Sequence, residues 1–405
     1  MSRARPLLFA LVLGLCVPLV GPAQPSLAST GARTPPKWIR RIETVVGNRP
    51  VSVAIGQDSH PWLRHLAWVE RAPASNEKLL LSMALFDRFA PTRTIWTSAR
   101  AAKAPDHGVI AGDLWLVGHG DPELDDRDLI ALARKVADAG VTRIRGSVIG
   151  ATGPFRRDWW ATGWKDYFPA DYIARPTALT FRRNVDAAGH HLVDPERRAA
   201  LVLTARLEAL GVRVGGDADM GPAPAGLSTM ARIASAPLQG IVRRMDLHSR
   251  NLWAEVLGKY LGAAAYGAGT IANGARAICA FTAAHGLSST CHDGSGLSYA
   301  NRETAYGLLR LLWAADRQPW GATLRTSLPS GGQGTLEDRL TDVRLRAKTG
   351  TLDNVSALSG WVWLERSGTW AEFSIMSSGF DEYEAKKIEN QIVRVVSENA
   401  SDPAR

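Results

Sequence analysis

Ser75 and Lys78 stand three residues apart in the stretch Pro73-Ala74-Ser75-Asn76-Glu77-Lys78-Leu79-Leu80-Leu81. On a helix that spacing is about one turn, so both side chains share a face. A serine hydroxyl needs an adjacent base to take its proton before it can act as a nucleophile, and a neutral lysine amine is such a base. Lysine ordinarily titrates near about 10.4, so burial, the positive end of a helix or a second cation must lower that value. Two further motifs follow, Ser249-Arg250-Asn251 and Lys348-Thr349-Gly350-Thr351-Leu352. Ser249 and Asn251 offer a hydroxyl and an amide to Lys78 and to a substrate amide. Lys348 and Thr349 offer a cation and a hydroxyl to a substrate carboxylate. Gly350 lets a peptide backbone approach a strand edge, and the N–H groups of Ser75 and Thr351 are the natural oxyanion donors. Alone, Ser75 reads as a helix cap and Lys78 as a solvated charge. The chemistry needs all three motifs.

The elements that must position these motifs are legible in outline. From Leu79 onward the residues favour a helix with Ser75 near its start. Asn251 opens another helix through Leu261, and Lys348 ends a strand from Leu345 to Gly350. Ala357 to Leu364 and Trp370 to Ser377 read as further strands joined by the hairpin turn Arg366-Ser367-Gly368-Thr369. Near the start, Trp38 to Val46 predicts a helix, and Val51 to Ile55 and His65 to Glu70 predict strands. Glu382 to Asn399 carries Ile388, Ile392, Val395 and Val396 at helical spacing, a stripe that suits packing on a sheet. Between the first two motifs, Asp113–Val117, Asp128–Ala139 and Thr142–Ile149 read strand, helix, strand, a small α/β unit inserted into something larger. The turn Gly118-His119-Gly120 fits neither common nucleotide fingerprint. Trp159, Trp160, Trp164 and Tyr167 are expected to pack beneath a loop, and Asp293 to Ser298 is expected to be a structural loop beside the cleft.

Composition narrows the setting. The 405 residues are 45% hydrophobic, enough for one large core or two modest ones. Arg3 and Arg5, the apolar run Leu7 to Val20 and Ser26-Leu27-Ala28 read as an export signal cleaved after Ala28. No later stretch is apolar enough to span a bilayer. With Cys16 removed, Cys279 and Cys291 remain as a pair, and an oxidising compartment predicts a disulfide between them. The histidines are scattered without a metal spacing, so no metal or cofactor is expected. The net charge is +9, but the arginines are spread along the chain, which argues against nucleic acid and for contact with a polyanionic wall or membrane surface. Of the 48 basic residues only nine are lysines, and two of those lie in the motifs.

In this order in an exported chain, the three motifs resemble those of the class C low-molecular-mass penicillin-binding proteins, the D-alanyl-D-alanine carboxypeptidase/endopeptidase family. The resemblance extends to the Gly118 to Pro122 turn, Ser249 through Glu255, Asp293 to Ser298, Leu328 through Leu336, and Arg346 through Gly360, covering most of the chain from Val51 to Gly379. Ser249 follows Ser75 by 174 residues, a gap similar to that of this family's inserted domains. The chain departs from the pattern at Arg250, where the family usually has aspartate, at Ala151, where an acidic residue is frequent, and in a shorter insert.

The resemblance implies an α/β (mixed α+β) protein with the penicillin-binding-protein and serine β-lactamase-like transpeptidase fold. That fold is an antiparallel sheet flanked by helices, with a helical subdomain and a smaller α/β insert. The expected organisation is a signal peptide at 1–28, a catalytic domain from 29–98 and 230–405, and an inserted domain at 99–229. The implied activity is serine-type cleavage of D-alanyl-D-alanine in peptidoglycan stem peptides. Ser75 attacks, Lys78 accepts its proton, Ser249 relays it, and Asn251 orients. Lys348, Thr349, Gly350 and Thr351 hold the substrate, and β-lactam antibiotics acylate Ser75. A catalytically silent wall-binding protein on the same fold is the alternative, and a β-lactamase or esterase ranks behind both.

Overall fold

The computed structural model describes residues 35–153 and 155–400; the expected export signal lies outside them. At its centre is a five-stranded, wholly antiparallel sheet, in the order Leu345–Leu352, Val355–Leu364, Thr369–Ser378, Val51–Gln57, His60–His65. Side chains alternate across a pleated strand, so each strand presents two faces to two different layers. Val53, Ile55, Leu358, Phe373 and Ile375 face one side, against Trp38, Ile42 and Val46 of helix Lys37–Val46 and Ile388, Ile392 and Val396 of helix Glu382–Asn399. Ala54, Ala357, Trp361 and Met376 face the other, joining the core of the helical layer.

That layer is built on helix Glu77–Arg88, whose residues from Glu77 through Phe86 are all buried. Leu79, Leu80, Leu81, Met83, Leu85 and Phe86 therefore pack around its whole circumference, which is the pattern of a core helix. Helices Leu238–His248, Asn251–Tyr266, Ile271–Ala284 and Ala305–Asp316 surround it. A second sheet, ordered Asp219–Gly221, Val148–Ala151, Leu114–Gly118, Trp96–Ala101, Ser228–Ala234, mixes parallel and antiparallel pairs. Helices Asp126–Asp138 and Pro195–Ala209 contribute to its separate apolar core.

Two predicted strands are corrected. Strand His60–His65 ends where His65 to Glu70 was expected to be extended, because Leu66 adopts a left-handed conformation (φ 45°) and turns the chain. The stretch Thr142 to Ile149 divides into Arg143–Ile144 and Val148–Ala151, which pair in different sheets. Cys279 and Cys291 form the expected disulfide. Among the described residues, no helix is long and apolar enough to cross a membrane.

Candidate active site

Ser75 lies in the 3₁₀ turn Ala74–Asn76, immediately ahead of helix Glu77–Arg88. Ala74 before it holds φ at 47°, a strained value for a residue with a Cβ. Two glycines wedge this turn into place. A Cβ on Gly350 would come within 2.8 Å of Pro73 O and 3.1 Å of Ser75 N, and one on Gly296 within 1.9 Å of Ala74 O. The strand of the third motif and the loop Asp293 to Ser298 thus approach the Ser75 backbone at distances only glycine permits.

Lys78 is fully buried one turn after Ser75. Its Nζ lies 3.0 Å from Ser75 Oγ and 2.9 Å from Asn251 Oδ1, and it also donates to the carbonyl of Ser295. Burial lowers the Lys78 pKa to about 8, against the opposing pull of Asp293, Glu255, Asp246 and Glu77. The neutral amine has two N–H bonds and one lone pair. The oxygens of Asn251 and Ser295 can only accept, so they take both N–H bonds and leave the lone pair for the Ser75 hydroxyl. The arrangement is that of a nucleophile with its general base.

Lys348 is also fully buried, at 0% exposure. Its Nζ donates to Ser249 Oγ and to the carbonyl of Thr349, each at 2.9 Å. Burial and then the charge of Lys78 lower its pKa to about 7, and Asp246 opposes them. Ser249 itself takes a left-handed conformation (φ 52°) at the end of helix Leu238–His248. The second motif is therefore divided between the two lysines: Asn251 meets Lys78, and Ser249 meets Lys348 rather than Lys78. Lys348 does not line the open cavity, so its charge reaches that cavity through the Ser249 hydroxyl rather than by direct exposure.

The cavity, of 460 Å³, is lined by Ser75, Ser249, Asn251, Thr349 and Thr351, together with Tyr167, Tyr172, Tyr299, Thr335 and Arg339. Thr349 Oγ1 donates to Thr335 Oγ1 at 2.7 Å, which draws a residue from outside the motifs into the site. Gly350 stands behind the cavity wall against the Ser75 backbone.

Two features escaped the sequence reading. Asp246, on the buried face of helix Leu238–His248, accepts from Ser82 Oγ at 2.9 Å and from Ser327 Oγ at 3.5 Å. Burial raises its pKa to about 7, and the charges of Lys348 and Lys78 pull it back. An aspartate among Leu238, Ile241, Val242 and Met245 was the available signal. The second is the contact with Lys78 made by the loop from Asp293, a loop expected beside the cleft. This carboxylate accepts from Trp164 Nε1 (2.7 Å), Gly296 N (3.0 Å), Ser298 N (2.8 Å) and Asn301 Nδ2 (2.8 Å). Glu255 Oε1 accepts from Gly294 N and Ser295 N at 2.9 and 2.7 Å. The loop is structural, as expected, and it also presents the Ser295 carbonyl to Lys78. Trp164 packs beneath it, whereas Trp160 and Tyr167 are exposed.

Arg250 does not line the Ser75 cavity. Its guanidinium lies over the Trp253 ring, 4.5 Å from the centroid, and lines a neighbouring cavity instead.

Residues 51–189 and 186–399 match the family model described as the D-Ala-D-Ala carboxypeptidase 3 (S13) family. The chain is 30% identical over 397 residues to the D-alanyl-D-alanine carboxypeptidase of Actinomadura sp. (strain R39), which covers 76% of this chain and 73% of that protein. Among solved structures, it is similar to penicillin binding protein 4 (dacB) from Haemophilus influenzae, with a TM-score of 0.78 at 17% identity over 89% of this chain and 99% of that one. A predatory peptidoglycan endopeptidase from Bdellovibrio bacteriovorus matches with a TM-score of 0.56 at 16% identity, over 86% and 92% of the two chains. The fold implied by the three motifs is the fold observed. With Ser75 at the cavity and the buried Lys78 beside it, framed by the second and third motifs on that fold, the chain belongs to the S13 family of D-Ala-D-Ala carboxypeptidases, which are serine peptidases.

Proposed function

We propose that the chain is a serine-type D-alanyl-D-alanine carboxypeptidase/endopeptidase that acts on peptidoglycan stem peptides through an acyl-enzyme on Ser75. The observation that carries this reading is the Lys78 amine, 3.0 Å from Ser75 Oγ with its other two contacts on fixed oxygen acceptors. Lys78 accepts the serine proton as Ser75 Oγ bonds to the carbonyl carbon of the penultimate D-alanine. The N–H groups of Ser75 and Thr351 receive the developing oxyanion. The proton taken up by Lys78 reaches the leaving amine through the Ser249 hydroxyl, which gives its own proton to the amine and takes the one from Lys78, while Lys348 holds Ser249 and Asn251 holds Lys78 in place. Thr349, with Lys348 behind Ser249, receives the terminal carboxylate. Water then attacks the ester carbonyl, its hydroxyl staying on the released acid and its other proton passing to Ser75 Oγ as the ester bond breaks.

Because the strained carbonyl of a β-lactam suits the same attack, β-lactams are expected to acylate Ser75. We read 29–98 and 230–405 as the catalytic domain and 99–229 as the insert; the second sheet and its apolar core lie mostly within the insert, while the insert's stretch from Phe155 to Ala178 packs into the catalytic core. Export, with cleavage after Ala28, matches a substrate found outside the cytoplasmic membrane.

The test is intact-mass analysis of the mature protein with labelled penicillin, beside Ser75→Ala and a known member of the family. The expected result is one adduct on the wild type and none on the variant. A wild type that stays unlabelled while the family member reacts rejects the enzyme reading in favour of a silent wall-binding protein.

A further inference from the structure

Beside the Ser75 cavity lies a second cavity of 540 Å³, lined by Tyr172, Arg183, His191, His248, Arg250 and Asn251 among others. Tyr172 and Asn251 line both cavities, and Asn251 Nδ2 donates to the Tyr172 carbonyl at 3.4 Å. A chain seated on Ser75 therefore has this second space across a shared wall.

Two guanidinium groups face that space without a carboxylate partner. Among the described residues neither Arg183 nor Arg250 makes an ion pair, and Arg250 Nε is buried with no hydrogen-bond partner. The acids nearby are already engaged. Glu123 forms a bidentate pair with Arg244, and Asp186 accepts from Ala188 N, His190 N and the His190 ring. Burial and then the charge of Arg183 lower the Arg250 pKa, against the weaker opposing pull of Glu123, so the two cations repel each other. The backbone holds Arg183 there at a cost. Arg182, Arg183 and Asn184 are consecutive left-handed residues, with φ of 46°, 59° and 55°. Asn184 pins the turn by accepting from Phe181 N and by donating to Arg175 O and Thr177 Oγ1.

Repelling cations with unused planar donors, fixed in a concavity, have their natural complement in a carboxylate. Resting on the reading of the Ser75 site given above, we propose that this cavity is a second substrate subsite, in which Arg183 and Arg250 take a carboxylate borne by the peptide chain away from the scissile bond. Arg250, the departure from the family pattern, is then a specificity-determining residue rather than a packing substitution.

The test uses the full mature chain and pairs of D-Ala-D-Ala-terminated peptides that differ only in carrying glutamate or glutamine at one upstream position, each position being tried in turn. The expected result is a wild-type preference for glutamate at one position, expressed in KM. Arg183→Ala lowers kcat/KM for that peptide by about ten-fold, the loss of one charge-assisted hydrogen bond, and changes the glutamine peptide less than two-fold. Arg250→Gln repeats the effect, and Arg250→Lys restores part of it. Since Arg183 is exposed, its variant separates loss of the subsite from loss of folding. Equal losses on both peptides, no preference at any position, or an effect of the arginines only on sedimentation with anionic wall polymer overturns the subsite. A wild type that is labelled by penicillin yet shows no glutamate preference rejects the subsite alone. A wild type that neither labels nor hydrolyses rejects the Ser75 reading, and this proposal with it.

Discussion

Lys78 and Asn251 are 173 residues apart in the chain, and Lys78 Nζ donates to Asn251 Oδ1 at 2.9 Å. That contact joins the first motif to the second, and the bond from Lys348 to Ser249 joins the second to the third. Asp246 lies where both lysines act on it, with Ser82 and Ser327 as its hydrogen-bond donors. The three buried charges restrain one another. Neither lysine can carry its proton at the ordinary lysine pH without the cost of burial, and that cost brings the Lys78 pKa towards neutrality, as the proposed role of base requires.

Replacing Lys78 with alanine should slow penicillin acylation by roughly 10²–10⁴-fold, the range typical of a lost general base. Time courses of adduct formation by intact mass measure it. Acylation at the wild-type rate would assign the base elsewhere.

Acylation should quicken as pH rises through about 8, where Lys78 passes to its neutral, proton-accepting form. The sign follows from a pKa lowered from 10.5, since below it the amine is an ammonium with no lone pair for the Ser75 proton. Adduct formation rates between about pH 6 and pH 10 test this. The facing groups Asp246 and Lys348, each near about 7, are expected to shape the acid limb. A flat profile would contradict the assignment.

The substitution Asp293→Asn should reduce both acylation and stability. Its amide nitrogen would face N–H donors that the carboxylate now accepts from, and a buried donor left unpaired costs about 1–3 kcal/mol. The loop would then hold the Ser295 carbonyl less firmly against Lys78. Denaturant midpoints and acylation rates, taken together, separate this outcome from a purely structural role. Lost stability with an unchanged rate would mean the loop does not position the base.

Glu255 titrates at about 8, raised by burial and then by Asp293 from an ordinary 4.5. The folded state therefore keeps a proton that the unfolded chain releases between those values. The contribution of Glu255 to stability is full below pH 4.5 and falls as pH rises towards about 8. Glu255→Gln keeps an acceptor for Gly294 N and Ser295 N and should flatten the fall in Tm across that window. An identical Tm–pH slope in the variant would exclude Glu255 as its source.

Reducing the Cys279–Cys291 bond, or replacing both residues with serine, should cost about 3 kcal/mol, the chain-entropy value for so short a loop. The bond ties helix Ile271–Ala284 to the segment that leads into the Asp293 loop. Equilibrium unfolding with and without reductant measures the cost, and coincident curves would show that the bond contributes nothing.

The sequence alone determined the chemistry and most of the elements. Ser75 and Lys78 share a face because three residues make about one helical turn. The final helix was legible from Glu382 to Asn399 because its apolar residues recur at the helical period. Those signals are local, and local geometry follows from residue type and spacing. Tertiary structure decided how the lysines are used. Only packing could show that Ser249 turns to Lys348 while Asn251 turns to Lys78, or that Arg250 lines a second cavity and not the one that holds Ser75. The places of Asp246 and of the Ser295 carbonyl beside the lysines were illegible for the same reason. Both rest on burial and on partners dozens to hundreds of residues away, and it is desolvation in the assembled core, absent from any isolated stretch, that lowers the Lys78 pKa and suits it to the proposed role of base.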